Sequence, residues 1–343
     1  MKRIPTLDGW RGIAIAMVIL DHFAGQYVPG GMPTGLHGVD IFFVLSGFLI
    51  TTNLTAAPID LKKFYIRRFF RLMPVAWTYL GSLLVVGFVM GYRLTSWADL
   101  RACLLFYRNY AMFTGYGTTL HFWSLSVEEQ FYLVWPTLLF LLGARRCRVV
   151  ACVLAVSVAG FRWWNWQHYR NLPFNYRTEV RADALLVGCL LALYLSDSAN
   201  RDRAARLSKW LALPALAGLI YAILRYRNLP PLWESVCIAI LLAATMLHPG
   251  RAASRLLCWK PLAWLGIISY SVYIWQMPFA WLSANVSMLL LMGGVFMPMF
   301  AACSHYLIER PCIRLGHRLT STKKASLSPE IPDVPCTSPS LTA

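Results

Sequence analysis

Apolar runs of near-membrane length recur along this chain: 9–28, 36–55, 75–92, 123–142, 149–166, 180–195, 209–224, 232–248, 261–283 and 286–308. A spanning helix needs about 20 mostly apolar residues. A soluble fold of 343 residues has no core large enough to hide ten such runs. Composition agrees: 58% of residues are hydrophobic and 14% charged, against roughly 45–50% and about 25% in soluble domains. The expected fold class is all-α, a polytopic membrane helical bundle of ten spans. Disordered, fibrous and disulfide-stapled chains are excluded.

Charge sets the sidedness. The net charge of +17 would point to nucleic acid in a soluble chain. Here it follows the excess of Lys and Arg in cytoplasmic loops, so no nucleic-acid partner is expected. With ten spans and both ends cytoplasmic, the inside segments hold 21 Lys and Arg and the outer ones nine. An eleventh apolar stretch, 98–113, carries Asp99, Arg101 and Arg108. Letting it span would move every later basic loop outside, so it is expected as an outer interfacial or re-entrant segment. The first run is expected to stay as a span: no small-residue cleavage site closes it, and Arg11 interrupts it. Residues 1–318 form the expected membrane domain, and 319–343, rich in Ser, Thr and Pro, a disordered cytoplasmic tail. The nine cysteines show no metal spacing and read as small buried hydrophobes.

Ionisable side chains inside spans are expensive and mark function by default. The first run carries Arg11, Asp21 and His22. Arg11 and His22 are three helical turns plus roughly 20° apart, so they share a face, about 16 Å apart along the axis. Alone, each reads as a snorkelling arginine or a core histidine; the shared face points to function. The second run, GVDIFFVLSGFLI, brings Asp40 near its outer end and Ser46-Gly47 near its middle, where small residues allow close helix packing. In the inside segment 56–74, KKFYIRRFFRLMP spaces Arg67, Arg68 and Arg71 helically among aromatics. It reads as positive-inside charge or as a phosphate site, since arginine binds phosphate bidentately.

The fourth run opens with HFWSLSVEEQFYLVWP. Glu128 and Glu129 lie about 100° apart, so only one is expected to face the bundle interior. RTEVRAD opens the sixth, and its Arg181 and Asp183 read as a structural ion-pair rim. Under one topology His22, Asp40, Glu128, Glu129, Arg181 and Asp183 all fall in the outer half, with the arginine cluster on the cytoplasmic side. That arrangement suits moving a group from a cytosolic phosphate-bearing donor to an acceptor reached from outside.

The ordered set LDGWRGIAIAMVILDHF (7–23), GVDIFFVLSGFLI (38–50), RRFFRLMP (67–74), FWSLSVEEQFYLVWP (122–136), RADALLVGCLLA (181–192) and ISYSVYIWQMP (268–278) resembles acyltransferase family 3. These are integral membrane O-acyltransferases that include bacterial polysaccharide O-acetyltransferases. The resemblance covers nearly all of 5–315. It implies ten core helices in the bacterial cytoplasmic membrane, a cytosolic acyl-CoA donor and an extracytoplasmic sugar acceptor. It implies that Arg11 and His22 are essential, that Arg68 and Arg71 contact the CoA phosphates, and that Glu128 or Glu129 is functional. Many relatives carry histidine where this chain has Gln276. Glu129, Arg181, Asp183, Tyr270 and Gln276 are candidate acceptor-binding or supporting residues. Some relatives add a C-terminal SGNH-hydrolase-like domain; none is expected here, and transfer is then expected to be completed by the membrane domain alone or with a separate partner.

The expected chemistry follows. Arg67, Arg68 and Arg71 hold acyl-CoA, a co-substrate; no tightly bound cofactor or metal is expected. His22 acts as general base on the acceptor hydroxyl, oriented by Glu128 or, second, by Asp40. Alternatively His22 is transiently acylated. The expected acyl group is acetyl, and the acceptor an O-antigen, exopolysaccharide, glucan or lipo-oligosaccharide. The rival reading is a transporter or flippase with a His/carboxylate proton relay, which no inverted repeat supports.

Overall fold

The computed structural model describes residues 4–25, 34–111, 117–168, 173–224, 231–281 and 286–321. None of these lies in a strand. The helices are α1 (Pro5–Ala24), α2 (Thr34–Thr55), α3 (Leu61–Met90), α4 (Trp97–Leu104), α5 (Phe122–His168), α6 (Ala182–Leu195), α7 (Ser198–Leu224), α8 (Pro231–Leu247), α9 (Ala252–Leu257), α10 (Lys260–Ile267), α11 (Ser269–Trp281), α12 (Val286–Leu291), α13 (Met297–Ser304) and α14 (Arg310–Leu319).

Three of them, α2, α3 and α7, are singly long and apolar enough to cross a bilayer; α6 and most of α8 are apolar but shorter. Charged side chains interrupt α1 and α5, and the last two expected spans are assembled from pieces. The run 261–283 breaks at Ile268 between α10 and α11, and 286–308 is interrupted by π-turns at Met292–Phe296 and His305–Glu309. Residues 26–28 of the first run, 112–113 of the interfacial stretch, 282–283 of the ninth run and 322–343 of the expected tail lie outside the described residues.

The inside segments are less loop-like than expected. The basic segment 61–74 is the first half of α3. Asp60 caps it by accepting from the Lys63 amide at 2.8 Å, and its Lys, Arg and Leu are strong helix formers. The segment 196–208 is mostly the start of α7. No loop separates the fourth and fifth runs: one residue, Gly143 at φ 73° and ψ 165°, turns the first arm of α5 into the second. Only glycine adopts that conformation without strain. Of the described part of the stretch 98–113, residues 98–111, only α4 is helical, eight residues long and too short to span. Its buried Asp99 pairs with buried Arg108 at 3.1 Å.

Large apolar side chains point outward along α3 (Val85, Phe88, Val89), α5 (Leu133, Val134, Leu141) and α7 (Trp210, Leu213, Ile220). Apolar belts on several helices at once are far larger than soluble surfaces carry, and they make a lipid-facing wall. Inside it α2 packs against α1 and α6. At the α2–α6 crossing Gly47 faces the Leu185 carbonyl while Gly188 faces the Val44 carbonyl. The backbones meet there with no room for a Cβ, which is how membrane helices gain contact without a hydrophobic driving force.

Candidate functional site

Among the described residues, the expected site residues on the inner faces of α1, α2, α3, α5, α6 and α11 fall into three polar clusters. The first is built on Arg68. Its guanidinium reaches Glu129 Oε1 at 3.1 Å and Glu128 Oε2 at 3.7 Å, and lies 3.7 Å over the Tyr132 ring. Glu128 also accepts from the Ser46 hydroxyl at 2.6 Å. Both glutamates therefore face one partner, contrary to the expectation that only one could. The helical argument placed their Cβ atoms 100° apart correctly; a planar fork on a long side chain closes the gap. Tyr270 belongs here too. Its hydroxyl donates to the Leu72 carbonyl at 2.6 Å, within electrostatic range of Glu129, Arg68 and Arg71.

The three arginines of α3 have different surroundings. Arg68 is held by carboxylates. Arg67 donates from Nε to Thr320 Oγ1, just past α14, at 2.8 Å. Arg71 carries no ion pair among the described residues and stands within electrostatic range of Arg11. Arg11 is half-buried, with Asp8, Tyr132 and Glu128 also in range. Two guanidinium groups drawn together in a bundle interior favour an anion between them.

The second cluster lies between α2, the second arm of α5, and α6. Asp40 meets Arg162 and Arg181, each at 3.4 Å, and Asp183 meets Arg162 at 3.2 Å. All four side chains are at most 4% exposed. Two acids and two arginines balance, the only affordable way to keep such charges out of water. Arg181 and Asp183 are thus ion-paired, but to Asp40 and Arg162 on other helices rather than within the RTEVRAD string. Arg162 escaped notice because it sits alone in an apolar run.

The third cluster contains His22. Its Nδ1 lies 3.1 Å from Gln276 Oε1, and it has no other hydrogen-bonding partner among the described residues. An Nδ1–H donated to Gln276 leaves Nε2 as the basic nitrogen. The orienting side chain is thus Gln276. Asp40 is committed to arginines, and Glu128 to Arg68 and Ser46. Asp21 lies against Gly35 of α2, away from this contact. His121, missed by sequence reasoning, is nearly fully buried beside Tyr273, whose hydroxyl donates to the His121 carbonyl at 2.9 Å. Its position next to the FWSL string was the one available signal.

The arrangement offers an exposed imidazole whose Nδ1 meets an amide oxygen, a buried polar wall behind it, and an arginine-rich region three turns away along α1. These parts suit proton transfer to and from a hydroxyl near His22 and an anionic group near Arg11 and Arg71.

A family model described as an acyltransferase domain matches residues 4–308. The chain is 30% identical to the putative peptidoglycan O-acetyltransferase YrhL of Bacillus subtilis, over 94% of this chain and 57% of that protein. It is 29% identical to the peptidoglycan O-acetyltransferase OatA of Listeria monocytogenes, over 83% of this chain and 50% of the relative. With the O-acetyltransferase OatA of Staphylococcus aureus the identity is 28%, over 81% and 50%. The chain spans about half the length of these curated relatives. No solved structure matches it.

Proposed function

The chain belongs to the acyltransferase domain family, and from that premise we propose that it is a membrane O-acetyltransferase acting on a glycan. The donor is cytosolic acyl-CoA, with acetyl as the acyl group. The acceptor is a hydroxyl of an extracytoplasmic or membrane-associated sugar polymer; the relatives' names make a cell-wall glycan the first candidate. The 1–318 domain is a ten-span bundle in the bacterial cytoplasmic membrane with both ends cytoplasmic. In support, α1 and α11 run in the same sense: Arg11 and Tyr270 both lie near Arg71, and His22 meets Gln276. The first and ninth of ten spans must run that way.

The observation that carries the reading is the His22–Gln276 contact. With Nδ1–H donated to Gln276, Nε2 carries a free lone pair, suited to take the proton of an acceptor hydroxyl. Arg71 and Arg11 are the donor-phosphate residues favoured by geometry, with Arg67 at the cytoplasmic end. Glu128, Glu129 and Arg68 form the wall between the two ends.

The test is mass spectrometry of surface and secreted glycans from cells with the gene, without it, and with His22→Ala. The expected result is a mass difference of one acetyl group, lost in both the deletion and the variant. Retained acetylation in His22→Ala, with the protein present in the membrane, refutes His22 as the base. No acyl difference in any glycan, with no acetyl-CoA consumed, favours the transporter reading.

A further inference from the structure

Gln276 is fully buried, and only half of its amide is used. Oε1 accepts from His22 Nδ1–H, while Nε2 has no hydrogen-bond partner among the described residues. His121 is 2% exposed, and neither ring nitrogen has a hydrogen-bond partner in good geometry among the described residues; the Ile274 backbone is within hydrogen-bonding reach of the ring and competes for its single N–H. Buried polar groups are nearly always satisfied, so orphaned donors beside a reactive side chain call for a ligand.

The orphans share one place. Tyr273 holds the His121 carbonyl and lies three residues, one turn, before Gln276 on α11. His121 is within electrostatic reach of His22. The rings of Tyr79, Phe122 and Tyr273 stand edge-on to His121 and keep the surroundings apolar. His121 also immediately precedes the first turn of α5, whose partial positive charge favours an anion.

We propose that Gln276 and His121 bind the carbonyl oxygen of the acyl donor and stabilise the oxyanion that forms there. The inference rests on the acyl-transfer reading of the His22 site. In the step, the acceptor hydroxyl oxygen bonds to the thioester carbonyl carbon while its proton passes to His22 Nε2. The carbonyl oxygen becomes an oxyanion held by the Gln276 Nε2–H and a ring N–H of neutral His121. The C–S bond then breaks, and the thiolate leaves with the proton from His22. Donors fixed in place on buried side chains stabilise such charge without reorganising.

Gln276→Glu separates orientation from oxyanion binding. The glutamate still accepts from His22 Nδ1–H, but it replaces the amide donor with a negatively charged oxygen. Membranes holding the full chain, with acetyl-CoA as probe, are assayed for thiol release and glycan acetylation. Loss of one oxyanion donor is expected to lower kcat on the order of 10²–10³-fold, with KM for acetyl-CoA little changed. Turnover equal to or above that of the unaltered enzyme overturns the proposal, because Gln276 then only orients His22.

His121→Phe provides the second arm. It keeps the aromatic packing and removes both nitrogens, so a loss of similar size is expected, with His121→Asn retaining part of the rate. Full activity in His121→Phe overturns the role of His121, and this arm decides alone if Gln276→Glu fails to insert. An inactive His22→Ala alongside a fully active Gln276→Glu sinks this inference only; an active His22→Ala sinks the functional reading beneath it.

Discussion

Arg68→Met tests whether this arginine belongs to the donor site or to the wall of the bundle. Arg68 bonds Glu129 through both Nε and a terminal nitrogen at 3.1 Å, approaches Glu128 at 3.7 Å and caps the Tyr132 ring. Methionine keeps the stem and removes the charge, leaving two adjacent interior carboxylates facing each other. Removing one partner of a buried pair costs about 3–5 kcal/mol. Here the Arg68 and Glu129 side chains are 18% and 11% exposed, so the lower end, about 3 kcal/mol, is appropriate. Glu129→Gln alone costs less, since Arg68 keeps Glu128. The double variant should recover about 2 kcal/mol of the summed loss, as coupled neighbours do. Thermal and denaturant unfolding of the purified protein in one detergent measures all four corners of the cycle. Additive losses, or an Arg68→Met as stable as the unaltered protein with only a raised KM for acyl-CoA, would falsify the argument. Arg68 would then be a phosphate contact.

Arg71→Ala should behave oppositely. It loses no ion pair among the described residues, so stability stays near that of the unaltered protein. KM for acyl-CoA rises roughly tenfold or more, the worth of one charge-assisted hydrogen bond; steady-state kinetics against acetyl-CoA reads this. Gly47→Ala puts a methyl onto the Leu185 carbonyl at the α2–α6 crossing. Overpacking there is expected to cost about 1–3 kcal/mol, seen as a lowered Tm, whereas alanine at Gly160, with nothing nearby, is tolerated. Asp183→Ala leaves Arg162 and Arg181 sharing Asp40 alone and is expected to cost about 3–5 kcal/mol. Asp183→Ala combined with Arg162→Met should regain part of that, as balance is restored.

Much of the candidate site was legible because helical periodicity is local. The eleven-residue step from Arg11 to His22 specifies a shared face without reference to any other helix. Asp40, Arg181 and Asp183 were legible as charges too costly to leave unpaired in lipid. Their partner Arg162 was not, since a single arginine in an apolar run looks like any other positive charge. The inside segments were misread as loops because hydropathy registers where lipid ends, not where the helix ends. The lysines and arginines of 62–71 are strong helix formers as well as charges, so the helix runs straight through the polar segment.

From the chain alone came the membrane bundle, the set of buried charges, and the family that their order resembles. These depend on composition and on contacts within a few turns. The tertiary structure alone decided the pairings. Gln276 reaches His22 across 254 residues of sequence, Arg162 reaches Asp40 across 122, and Arg68 reaches Glu129 across 61. A helix's periodicity states which face a side chain occupies. Which neighbour waits there depends on how the helices cross, and that is set by packing of the whole bundle, down to two glycines where α2 and α6 touch.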